Sequence, residues 1–136
     1  MVESVSSDAV KSLLGEEGYE IVAENEDIFH VRDLESGMRV TCVLQDNILF
    51  NTLPCFSTAE ENITLELTRA LLDADNGIDT SHFQLYKMPD GQVRVALTNF
   101  CKLQDLGLED QDDILSCVTF LLVDVMEARA QLAKFL

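Results

Sequence analysis

Hydrophobic and polar positions divide the chain into segments of two periodicities. Val10, Leu13 and Leu14 fall on one helical face, and Ser6, Ser7 and Asp8 just before them are capping residues. Gly15 and Gly18 bracket the end of this first helix. Strand-like runs follow at 19–23 and 28–32, rich in β-branched and aromatic residues and separated by the polar stretch 24–27. Beyond the turn residues Glu35, Ser36 and Gly37, Met38, Val40, Cys42 and Leu44 alternate with Arg39, Thr41, Val43 and Gln45. Asp46-Asn47 is a tight-hairpin signal, residues 48–53 form the returning strand, and Pro54 is expected to end it. Four consecutive antiparallel strands are the simplest arrangement.

Ser57 and Glu60 have capping-box spacing, which predicts a helix whose buried face is Ile63, Leu67, Ala70, Leu71 and Ala74 and which stops at Gly77. A second hairpin follows, with strands at 83–88 and 93–100 around Pro89-Asp90-Gly91. The clearest element is the last. Ile114, Val118, Leu121, Val125, Ala128 and Leu132 recur at three- and four-residue steps, and Leu115, Leu122 and Met126 widen the stripe. A helix over about 110–134 is expected, with Glu109, Asp110, Asp112 and Asp113 complementing its N-terminal dipole. The pattern therefore predicts one α+β domain over 1–136 in the order α-β-β-β-β-α-β-β-α. Its antiparallel sheet of about five to six strands carries the helices on one face.

Charge changes the picture most. The chain has 25 acidic and 9 basic residues, a formal net charge of −16, and the basic residues form no stripe. Such a field repels nucleic acid and anionic lipid, so neither is expected as a partner. Hydrophobic residues make up 47% of the chain, enough for a core rather than disorder. Residues 1–8 have no basic start or apolar run, as a secretory signal would, and no stretch is apolar for the roughly 18 residues of a membrane span. A cytoplasmic protein without membrane insertion is expected.

The candidate chemistries are weak. Cys42, Cys55, Cys101 and Cys117 are irregularly spaced among apolar neighbours, which reads as buried free thiols rather than a zinc site with His30 or His82. The segment 73–79 has acidic residues but places Gly77 fifth and Gln84 twelfth from Asp73, so it does not fit a calcium loop. Cys55 with His82 is the one pairing that a cysteine hydrolase could use. The alternative function is thus a small cysteine- or metal-dependent hydrolase using Cys55 and His82 or acidic clusters such as Asp105, Glu109, Asp110, Asp112 and Asp113, whose density without converging oxygens favours a dipole complement and solvated surface. No cofactor motif, glycine-rich phosphate loop or metalloprotease signature is present.

The deduced order of elements resembles the type III secretion chaperone-like fold, and more closely the bacterial YbjN and YjfI families. The matching stretch, 62–129, includes the run 67–76, Thr80-Ser81-His82-Phe83, Val95-Ala96-Leu97-Thr98 and the long terminal helix. The resemblance implies a non-catalytic, dimerising protein that binds or regulates another protein. Through YjfI it also implies a link to phage-shock-type membrane-stress proteins. It carries over no catalytic, cofactor or metal residue. The wide apolar stripe of the last helix and the second hairpin are the expected homodimer or partner interface, through Tyr86, Val95, Phe120 and Leu121.

Overall fold

A computed structural model describes residues 5–135. The expectations placed on residues 1–4 lie outside that span. The elements run α1 (Ser7–Glu16), β1 (Glu20–Ala23), β2 (Ile28–Arg32), β3 (Arg39–Gln45), β4 (Ile48–Ala59), α2 (Leu65–Leu72), β5 (His82–Lys87), β6 (Gln92–Lys102) and α3 (Leu108–Gln131). Short 3-10 turns at Glu60–Asn62 and Ala133–Phe135 complete the order, which is the one expected from the sequence.

The six strands form one antiparallel sheet in the order β1-β2-β3-β4-β6-β5. Local chemistry explains the first hairpins. Asp46 and Asn47 both take positive φ, 53° and 63°, which is the pair of left-handed residues a tight hairpin between β3 and β4 requires. Ser6 caps α1 by accepting a hydrogen bond from the backbone N–H of Ala9.

All three helices cover one face of the sheet. Alternation along the strands turns Phe29, Val31, Val40, Cys42, Leu49, Leu53 and Leu97 into this layer. There they meet Val10 and Leu14 of α1 and Ile114, Val118, Leu121, Val125 and Ala128 of α3. A smaller cluster joins Leu67 and Leu71 of α2 to Val95 and Leu132.

Two boundaries differ from the sequence reading, and both have the same cause. Pro54 lies inside β4 instead of ending it, because pairing with β6 runs the whole way from Ile48↔Lys102 to Ala59↔Gln92. Pairing of β4 with β3 stops at Thr41↔Thr52, so by Pro54 the strand has one neighbour only, where a proline is tolerated. The register shifts between Pro54 and Phe56, a bulge that takes up Cys55. The second difference follows from that extension. Ser57, Thr58 and Ala59 pair with Arg94, Val93 and Gln92, so the capping box does not start a helix. α2 begins at Leu65, where the Thr64 hydroxyl accepts from the N–H of Leu67 at 3.1 Å, and it ends at Leu72. Ile63 and Ala74 lie outside it, and its buried face reduces to Leu67 and Leu71.

Candidate functional site

Helices on one side leave the other face of the sheet uncovered. Four strands contribute to that face: Thr41 and Val43 from β3, Phe50 and Thr52 from β4, Arg94, Thr98 and Phe100 from β6, and His82, Gln84 and Tyr86 from β5. These are the positions alternate to the core-facing ones, so the core pattern dictates them. They form an open groove of about 840 Å³. Phe50 and Phe100 are cross-strand partners with ring centroids 6.1 Å apart, and Phe100 is 59% exposed. Tyr86 stands across from Arg94 on the neighbouring strand.

The charge of this groove is opposite to that of the chain. None of its lining residues is Asp or Glu, although 25 of the 136 residues are acidic, and it holds Lys87, Arg94 and His82. Lys87 lies 3.9 Å from Glu60. Arg94 makes no ion pair among the described residues, and its buried Nε has no hydrogen-bond partner. A buried donor without an acceptor is costly, which makes this atom the most conspicuous polar feature of the face.

The four residues expected at an interface separate into two pairs. Tyr86 and Phe120 are exposed, 37% and 43%, with Tyr86 in the groove and Phe120 in a cleft between α3 and the Asn99–Lys102 end of β6. Val95 and Leu121 have no exposure and are packed in the two core clusters, so neither can reach a partner directly. The exposed large apolar residues of α3 are instead Leu108, Phe120, Val123 and Met126.

The hydrolase alternatives are not assembled. Cys55 faces the helix layer, while His82 lines the opposite, uncovered face, so the sheet itself lies between them. Burial drives the Cys55 thiol up to about 11, with Arg129 pulling the other way. The acidic cluster before α3 has a structural use. Asp110 is buried, and its Oδ2 accepts from the backbone N–H groups of Gln104, Asp105 and Leu106 at 2.7, 2.9 and 2.8 Å. Burial opposes the charge, but these three bonds outweigh it and hold the carboxyl below its ordinary value. Among the described residues no group of three or more His, Cys, Asp or Glu side chains is placed to hold a metal ion.

The segment after α2 is a capping turn. Asn76 Nδ2 donates to the Leu71 carbonyl at 2.7 Å, Asp73 Oδ1 accepts from the Asp75 N–H, and Gly77 has φ +84°. Thr80 and Ser81 hydroxyls both donate to the buried Asp124 of α3 at 2.7 Å, which fixes the lead-in to β5. In the core, Asn51 Nδ2 donates to Asn99 Oδ1 at 3.1 Å, and Asn99 Nδ2 donates to the Cys117 carbonyl at 2.9 Å, tying β4 and β6 to α3. All four cysteines are buried free thiols. Contact with Cys101 lowers the pKa of Cys117, whereas burial raises that of Cys42. No helix among the described residues is long and apolar enough to cross a membrane.

Solved structures share this architecture. One is a crystal structure of YbjN, a candidate transcription regulator from E. coli, at TM-score 0.68 and 14% identity over 96% of each chain. Another is a chain of the heterodimeric complex ExoU-SpcU from the type III secretion system of Pseudomonas aeruginosa. It matches at TM-score 0.59 and 13% identity, over 89% of this chain and 95% of that one. The fold is therefore YbjN-like and secretion chaperone-like, as the order of elements predicted. No protein-family model matches the chain, and no curated protein sequence matches it significantly.

Proposed function

We propose that this is a non-catalytic, cytoplasmic binding protein that holds an extended segment of another protein on the uncovered face of its sheet. The observation that carries this reading is the groove itself. A face bearing exposed Phe50, Phe100 and Tyr86 has no helix over it, while the opposite face of the same sheet carries the helices and the core. The ExoU-SpcU neighbour belongs to a heterodimer, which agrees with a fold suited to holding a protein. The resemblance to YjfI makes phage-shock-type membrane-stress proteins the first partners to test. Short peptides selected by display against the purified protein should shift the NMR signals of Phe50, Thr98 and Phe100, and Phe100→Asp should weaken them at least about tenfold. Selected peptides that perturb only the helix side would overturn the reading.

Homodimerisation is the second reading, favoured by the exposed apolar residues of α3, where Phe120, Val123 and Met126 are 43%, 62% and 58% exposed. Copies of net charge −16 repel, so apolar burial at about 25 cal/mol per Å² must drive any dimer, and salt should strengthen it. Sedimentation at low and moderate salt tests this. A monomer under both conditions at tens of micromolar, or a dimer that salt dissociates, would defeat it.

A further inference from the structure

The open face has a charge pattern that specifies its occupant, an inference that rests on reading that face as a docking surface. We propose that Arg94 anchors a carboxylate of the bound segment, and that the groove takes an extended protein stretch with an apolar side chain toward one end and Asp or Glu toward the other.

Three observations carry this. The first is the unpaired guanidinium: Arg94 lines the groove on β6 and makes no ion pair among the described residues. A guanidinium presents its donors as a planar fork that matches a carboxylate, and the Nη groups of Arg94, unlike its Nε, are not among the buried atoms, so a bound carboxylate can reach them. The second is the composition of the groove. An acidic chain has kept acids out of the groove lining and put Arg94 and His82 there, with Lys87, which lies against Glu60, at its end. The third is register. Phe100 and Arg94 lie on the same face of β6, six positions apart, which is about 20 Å at ~3.4 Å per residue. Phe50 stands beside Phe100 at one end, and Tyr86 beside Arg94 at the other. Across β3, β4, β6 and β5 the surface is about 14 Å wide at ~4.8 Å per strand spacing. That is a bed for an extended chain rather than an enclosure for a small molecule.

The chain's own charge does not prevent this. At physiological salt, interactions between exposed charges fade over about 8 Å, so most of the acidic surface is screened from the groove. A desolvated contact with Arg94 is screened far less. The global charge selects against casual binding of acids, and Arg94 supplies the local exception.

The test uses labelled peptides followed by fluorescence anisotropy at near-physiological salt. One carries Phe and Glu about six residues apart, matching the Phe100–Arg94 span, and an otherwise identical peptide carries Gln for Glu. The Glu peptide should bind the wild-type protein about tenfold more tightly than the Gln peptide. Arg94→Gln should abolish that preference, so that the two peptides bind alike, and a thermal melt close to that of wild type reports that the variant is folded. Arg94→Lys, which keeps the charge and loses the fork, should retain only part of the preference. Equal binding of the two peptides by wild type, or a preference that survives Arg94→Gln, overturns the carboxylate anchor and leaves the docking surface standing. If neither peptide binds or shifts the signals of Phe50 and Phe100, the docking surface falls and the anchor falls with it.

Discussion

Replacing Asp110 by Asn tests whether the acidic cluster before α3 is a solvated charge patch or a clasp. The two accounts predict opposite signs. As one of five acids within nine residues, Asp105, Glu109, Asp110, Asp112 and Asp113, it should be relieved by neutralisation, by a few tenths of a kcal/mol to about 1. As a clasp, Asp110 Oδ2 satisfies three backbone N–H groups of the connection from β6 to α3. Each hydrogen bond to a charged group is worth roughly 1.5–3 kcal/mol in isolation, though bonds to one shared oxygen do not add. Asn retains one acceptor oxygen and loses the charge, so the clasp account predicts a net destabilisation of about 2 kcal/mol after the relief of repulsion. Urea unfolding measures it, and with a slope of about 1–3 kcal/mol per molar the midpoint should fall by about 1 M. The pH dependence is a second readout. The folded pKa of Asp110 is lowered, so its contribution is complete above the unfolded value near 3.8 and disappears as pH falls through the folded value. The gap between wild type and Asp110→Asn should therefore be constant from pH 5 to 7 and close below about pH 4. An Asn variant as stable as wild type, or a gap that persists undiminished in acid, refutes the clasp.

Leu121→Asp and Phe120→Asp should behave differently although they are adjacent: the first buries an unpaired charge in the core and should cost about 4 kcal/mol or more, while the second should leave the thermal midpoint nearly unchanged. Alkylation followed by mass spectrometry near pH 8 should modify Cys117 before Cys55 and Cys42, since contact with Cys101 lowers its pKa while burial raises theirs; modification of Cys42 first would contradict that order. Asp124→Ala orphans the hydroxyls of Thr80 and Ser81, so it should cost about 1–3 kcal/mol and speed hydrogen exchange in β5; unchanged exchange there would count against the anchor.

The sequence by itself determined the elements that short-range chemistry controls. Periodicity from Ile114 to Leu132 marked α3, alternation at Met38 to Gln45 marked β3, and Asp46-Asn47 marked its hairpin, because side-chain spacing and left-handed residues act within a few positions. The same alternation identified which residues face the core. Tertiary structure decided where local signals competed with long-range pairing. Pro54 and the Ser57–Glu60 capping box both read as breaks, yet eleven residue pairs between β4 and β6 run through that region to Ala59 and displace the helix start to Leu65. It also decided which side of an apolar stripe remains outside: Leu121 and Val95 are as hydrophobic as Phe120 and Tyr86, and only packing separates core from surface. The groove was beyond the sequence for the same reason. Arg94 and His82 are ordinary dispersed residues along the chain, and they come to share one face of an acidic protein only when β5 pairs with β6, with Lys87 at the end of β5 beside them.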